Sequence, residues 1–232
     1  QIWTKAVSPI APTGISNSSI CTGSNTTLAG TCASGTTIKW YSDAAGTIEL
    51  TSTTVSPTAT TTYYPFCTNG VCRSAVGTPS VVTVNALPDN TATGFREGLP
   101  ICKGAQGTLI FDDSSVPTFS SPYTITYTDG TTVFSQTISS ASALTFNVTP
   151  TPNVTTNYTL LSITNGLGCT RTSGFSDATA QITVKPIPDA IATPTSQAIC
   201  SGALTNISLS SSMSGTTYAW SSSGTPTGTS VG

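Results

Sequence analysis

The tetrapeptide I-C-x-G occurs three times, as Ile20-Cys21-Thr22-Gly23, Ile101-Cys102-Lys103-Gly104 and Ile199-Cys200-Ser201-Gly202. Each copy leads into an alternating apolar and small polar run: Thr27-Leu28-Ala29, Thr108-Leu109-Ile110-Phe111 and Ile207-Ser208-Leu209. The copies stand 81 residues (102 − 21) and then 98 residues (200 − 102) apart. A punctuation mark at that spacing means a tandem array of small domains, and a repeat restricts the fold more than any local propensity does.

A second phrase marks where the units end. Val82-Thr83-Val84-Asn85-Ala86-Leu87 matches Gln181-Ile182-Thr183-Val184-Lys185-Pro186, and residues 1–7 carry a third copy. Each reads as a short strand of period two that stops at proline: Pro9, Pro88 and Pro188. These marks divide the chain into residues 1–11 (the last strand of a preceding repeat plus linker), a repeat over 12–88, a second over 89–188, and the first part of a third over 189–232.

Only 7% of the residues are charged and 37% are hydrophobic, yet the apolar residues alternate in runs such as Tyr123-Thr124-Ile125-Thr126-Tyr127. Alternation of this kind marks half-buried strands, and β-branched Thr and Val suit the pleated backbone. Gly, Pro and Asn-Gly breaks leave no room for an ordinary helix. The expected fold class is all-β: tandem immunoglobulin-like β-sandwiches in a linear array. Trp40 lies 19 residues after Cys21 and Trp220 lies 20 after Cys200, the spacing that sets a core indole in such a sandwich. Tyr127 takes that place in the second repeat, while Tyr63 and Tyr158 precede the late cysteines as further core aromatics.

A net charge of −2 without basic runs gives no footprint for nucleic acid. No stretch reaches the ~20 apolar residues of a membrane-spanning helix. Seven cysteines without a single histidine favour disulfides in an oxidising, extracellular compartment over a metal site. Matching the repeats pairs Cys102 with Cys169 and Cys21 with Cys72, leaving Cys32 for Cys67, one of three connectivities open to four cysteines. Cys200 is then the odd thiol, with its partner expected roughly 20–40 residues past Gly232 on the spacing of the other two repeats.

Candidate sites are few. Without histidine the usual general base is missing, so no catalytic residue is assigned and an enzyme is not expected. Asp112 and Asp113, with Asp129, form a weak calcium candidate; solvated turns are the plainer reading, and no other cofactor is expected. Asp89 and Asp189 recur at the joints, where an Asx-turn start explains them more cheaply than an interdomain ion. Trp3 stands where Thr83 and Thr183 stand in the other copies, and packing on a neighbouring repeat or stacking on a sugar are its two readings. Six N-x-Ser/Thr triplets, at Asn17, Asn25, Asn147, Asn153, Asn157 and Asn206, are expected by chance in so hydroxyl-rich a chain.

The opening I-C-x-G, the segment Gly35-Thr36-Thr37-Ile38-Lys39-Trp40-Tyr41-Ser42-Asp43, the Thr60-Thr61-Thr62-Tyr63-Tyr64 before the late cysteines, and the proline-ended joint strand resemble the Ig-like and PKD-like repeats of Bacteroidota surface proteins. Such repeats build large secreted adhesins, including those of gliding motility exported by type IX secretion. The resemblance implies a cell-surface location and a role as the stalk of an adhesin or fibre. It implies as partners the neighbouring repeats, other copies of the chain, or surface glycans. A polysaccharide-binding module of a secreted multidomain enzyme is the alternative.

Overall fold

The computed structural model describes residues 5–88, 94–112, 122–139 and 144–221. Trp3, Asp89 and Asp113 lie outside them. Every regular element among these residues is a strand, in keeping with the Thr- and Val-rich alternation.

The first repeat supplies β1 (Ser18–Cys21), β2 (Thr26–Thr27), β3 (Thr37–Tyr41), β4 (Thr54–Val55), β5 (Thr61–Thr68) and β6 (Ser80–Asn85). A four-stranded sheet runs β1-β6-β5-β3, and β2 pairs with β4. Most pairings are antiparallel, but β1 runs parallel to β6 and sets Cys21 opposite Asn85. The inward residues of both sheets meet in one apolar cluster of Ile20, Leu28, Trp40, Val55, Tyr63 and Val82. Trp40 and Tyr63, expected in the core, are 2% and 6% exposed. The Trp40 indole N–H is buried with no hydrogen-bond partner.

Further along the chain lie β7 (Gly94–Glu97), β8 (Ile101–Cys102), β9 (Thr108–Asp112), β10 (Tyr123–Thr128), β11 (Val133–Ile138), β12 (Leu144–Asn147), β13 (Thr156–Thr164), β14 (Thr170–Arg171), β15 (Thr179–Ile182), β16 (Val184–Lys185), β17 (Ile191–Thr193) and β18 (Ser208–Ser210). Their sheets are β11-β10-β13-β14 with β15 beside β13, then β12-β9-β7, β16-β8 and β17-β18. By compactness the chain divides into one unit of Gln1–Arg96, Ile110–Leu144 and Tyr158–Ala180, and another of Glu97–Leu109, Thr145–Asn157 and Gln181–Gly232. These bounds cut across the repeats.

In the first unit, Tyr127 and Tyr158 are buried, with ring centroids 6.1 Å apart at a steep angle. Phe134 stacks on Tyr127 at 5.2 Å, and Phe95 lies 5.8 Å from the same ring. Such tilted and offset pairs add attraction beyond the area they bury. Burial, then the nearby Asp129 charge, push the Tyr158 hydroxyl up to about 12. In the second unit β16 runs parallel to β8, with Lys185 opposite Cys102.

Trp220 differs from expectation: it is 50% exposed, where Trp40 is closed over. Trp40 is roofed by residues of β1, β2, β4, β5 and β6 and their flanks. The described residues after the last joint contribute only the pair β17-β18. An indole is buried by the strands around it, not by its own sequence position.

Candidate functional site: the joint between repeats

Each I-C-x-G begins with the same turn. The Cys21 carbonyl accepts the Ser24 N–H at 2.9 Å, Cys102 the Ala105 N–H at 2.9 Å, and Cys200 the Ala203 N–H at 3.0 Å. The third turn residue is glycine at φ +86°, +85° and +83° (Gly23, Gly104 and Gly202), a left-handed conformation that a type II turn demands and side chains resist. In the first two copies the motif ends a strand, and in all three it turns the chain straight after its cysteine.

The late cysteines follow Asn-Gly turns. Asn69 accepts the N–H groups of Val71 and Cys72 at 3.0 and 2.8 Å, and Asn165 those of Leu167 and Cys169 at 3.1 and 2.9 Å. With their carboxamide oxygens engaged, both asparagines reach outward with the NH2 group to a joint segment. Asn165 Nδ2 donates to the Ala86 carbonyl at 3.1 Å, and Asn69 Nδ2 to the Val7 carbonyl at 3.1 Å. The Arg171 guanidinium adds a bond to the Pro88 carbonyl, and the Ser8 hydroxyl donates to Arg73 O at 2.7 Å. Arg73 itself folds back, donating to the carbonyls of Ala45 and Gly46 and lying 4.3 Å over the Phe66 ring.

These clamps decide the disulfides. Cys169 is fully buried, 4.0 Å from the Asn85 carbonyl, and is bonded to Cys21, 148 residues away. The second bridge joins Cys32 and Cys67, with Cα atoms 5.8 Å apart. The pairings of Cys21 with Cys72 and of Cys102 with Cys169 are thus corrected: Cys72, Cys102 and Cys200 are free thiols. The physical reason is the parallel β1–β6 pair, which carries Cys21 to the end of the joint strand, where the Asn165 turn of the following repeat arrives. Cys72 is held instead against Ala6, its thiol donating to that carbonyl at 3.8 Å. Cys72 and Cys169 do share the same Asn-capped turn. Partners cross from one repeat to the next, a crossing that no spacing within a repeat encodes.

The acidic candidates are separate from this joint. Asp129 uses one carboxylate oxygen to accept from Thr131 N, the Thr131 hydroxyl and Thr132 N, at 2.7–2.8 Å. Those bonds, the Thr132 amide foremost, hold its pKa down, as expected of a turn residue. Asp112 is the last residue of β9. Asp189 accepts from Ser211 Oγ and from both N and Oγ of Ser212, which lower its pKa to about 2. Among the described residues no three His, Cys, Asp or Glu side chains gather as a metal cluster. No helix there is long and apolar enough to cross a membrane.

Residues 9–86 match the model of the family described as "Ig-like domain CHU_C associated". No curated protein matches the chain. Among solved structures, the chicken CNTN1 FN1-FN3 domains align over 79% of this chain and 68% of theirs, at 13% identity and a TM-score of 0.46. A three-Ig segment of titin aligns over the same shares at 12% identity and 0.41. The Bacteroides ovatus SGBP-B, solved with a mixed-linkage heptasaccharide, aligns over 80% of this chain and 46% of its own at 14% identity and 0.21. The strand order β1-β6-β5-β3 facing β2-β4, the Cys32–Cys67 bridge and the family match agree with one another. Over residues 9–86 the chain folds as an Ig-like β-sandwich and is similar to the Ig-like domains described as CHU_C associated.

Proposed function

We propose that the chain is a repeat segment of a large secreted cell-surface adhesin or fibre, a disulfide-stiffened stalk serving adhesion or gliding motility. Type IX export in a Bacteroidota cell belongs to the same reading, as do contacts with neighbouring repeats, other copies or surface glycans. The observation that carries it is the Cys21–Cys169 bond, which ties one repeat to the next. A stalk transmits pulling force through its joints, and a joint held by hydrogen bonds alone is the first part to extend. A covalent tie at that point has mechanical value and none that a catalyst needs.

The test is to label intact producing cells with an antibody raised against this chain and to put the chain on a glycan array. Surface labelling without saturable glycan binding is expected. Label confined to permeabilised cells refutes the surface role, and saturable sugar binding replaces the stalk with the polysaccharide-binding module.

A further inference from the structure

The joint appears in three states of completion, and the differences between them locate missing partners. At the complete joint, Cys21 lies beside Asn85 in parallel register, Thr22 N donates to Asn85 O at 2.9 Å, and Cys169 closes on Cys21. Cys102 repeats the first half of this arrangement. It lies beside Lys185 in the same register, and Lys103 N donates to Lys185 O at 2.8 Å. Its thiol is exposed. Cys72 repeats the other half. Asn69 holds Val7 as Asn165 holds Ala86, and the Cys72 sulfur lies 3.8 Å from Ala6 O where that of Cys169 lies 4.0 Å from Asn85 O. In both cases the carbonyl beside the sulfur comes one residue before the carbonyl that the asparagine holds. Ala6 is therefore to Cys72 what Asn85 is to Cys169.

An opening cysteine set beside Ala6 in the β1–β6 register would meet Cys72. A late Asn-Gly loop seated on the carbonyl after Lys185 would bring its cysteine to Cys102. We propose that Cys72 and Cys102 are two halves of different rungs in a disulfide ladder, in which the opening cysteine of each I-C-x-G repeat bonds the late cysteine of the next. Cys72 takes the opening cysteine of a repeat preceding it, and Cys102 takes the late cysteine of the repeat that Cys200 opens. Making a rung breaks two S–H bonds and forms one S–S bond. The two electrons and two protons pass to a disulfide oxidant of the extracellular compartment, which leaves as two thiols.

The rungs interlace. Cys72 and Cys102 both fall between Cys21 and Cys169, so the loops closed by successive rungs overlap and no joint lies outside a closed loop. The bland alternative, that the two thiols are unpaired or bond each other, leaves unexplained why each reproduces one side of a bonded joint. The inference does not depend on what the protein adheres to.

The experiment takes the protein as its producing cell secretes it, blocks free thiols with N-ethylmaleimide, digests without reduction and identifies linked peptides by mass spectrometry. Expected are Cys21 linked to Cys169, Cys72 linked to an I-C-x-G cysteine other than Cys21, and Cys102 linked to a cysteine that follows an Asn-Gly turn. A second measurement uses Cys102→Ser in that protein. It should expose one new reactive thiol, in the late loop of the repeat opened by Cys200, and leave the Cys72 and Cys21 linkages intact. Maleimide on Cys72 or Cys102 in the untreated protein, a Cys72–Cys102 or Cys21–Cys72 bond, or any other partner overturns the ladder.

Discussion

Pulling the chain by its ends reads the disulfide connectivity directly as length. In the 232-residue chain pulled by itself, with Cys72 and Cys102 as free thiols, the Cys21–Cys169 bond holds back 148 residues, a span that already contains the 35 closed by Cys32–Cys67. Replacing both Cys21 and Cys169 by Ala opens the large loop and leaves the small one. Alanine is preferable to serine because Cys169 is fully buried, and a hydroxyl there would lose its water without a certain partner. The variant should release 113 more residues (148 − 35). At about 3.5 Å per extended residue this is a contour gain of roughly 400 Å. Had Cys21 bonded Cys72 and Cys102 bonded Cys169, the parent would hold back 51 and 67 residues and the gain would be 83 (51 + 67 − 35). That is roughly 290 Å by the same conversion. Single-molecule force spectroscopy resolves a difference of that size. A gain near 290 Å, or none, refutes the connectivity between repeats. The same substitution removes a loop constraint worth about 5 kcal/mol on chain entropy, whether the loop is taken at its full span or shortened by the inner bridge.

Three further outcomes follow from the first repeat. Trp40→Ala should cost about 3–5 kcal/mol in urea unfolding, whereas Trp40→Phe should cost much less, because it removes a buried N–H that has no partner; equal costs would mean that the indole N–H is satisfied after all. Gly23→Ala, at φ +86° with nothing near the added carbon, should cost about 1–2 kcal/mol from backbone strain alone, and a neutral result would show that the turn re-forms in another type. Asp43 accepts from Ile48 N at 2.7 Å, from Thr47 N at 2.9 Å and from the Thr47 hydroxyl at 2.9 Å, and these bonds, that from Ile48 first, hold its pKa below the ordinary 3.8. Its folded pKa being depressed, the turn keeps its full support above about 3.8 and loses it as pH falls through the lower folded value. The Ile48 amide resonance in NMR should titrate with a midpoint below 3.8, and a midpoint at or above it would remove the carboxylate from the turn.

Much of the molecule was legible without coordinates because its determinants are local. Alternation in Tyr123–Thr128 gives the buried, half-buried pattern of β10, since side chains on a strand point to opposite faces. The glycine of I-C-x-G reveals a left-handed turn because few other residues adopt that backbone angle. Asn69 and Asn165 match for the same kind of reason: a carboxamide that caps its own turn is encoded within four residues. What tertiary structure alone decided is which of these local pieces meet. Cys21 and Cys169 are 148 residues apart, and their bond follows from a parallel strand pair and from a loop of the next repeat reaching the end of that pair. Within one repeat, Cys21 and Cys72 read as natural partners, yet Asn69 draws Cys72 to Ala6. Trp40 and Trp220 share their sequence setting, but among the described residues only the first has strands packed around it. Sequence period specifies strands and turns because they depend on neighbours along the chain. Disulfide partners and indole burial depend on neighbours in space, and in a tandem array those include the adjoining repeat.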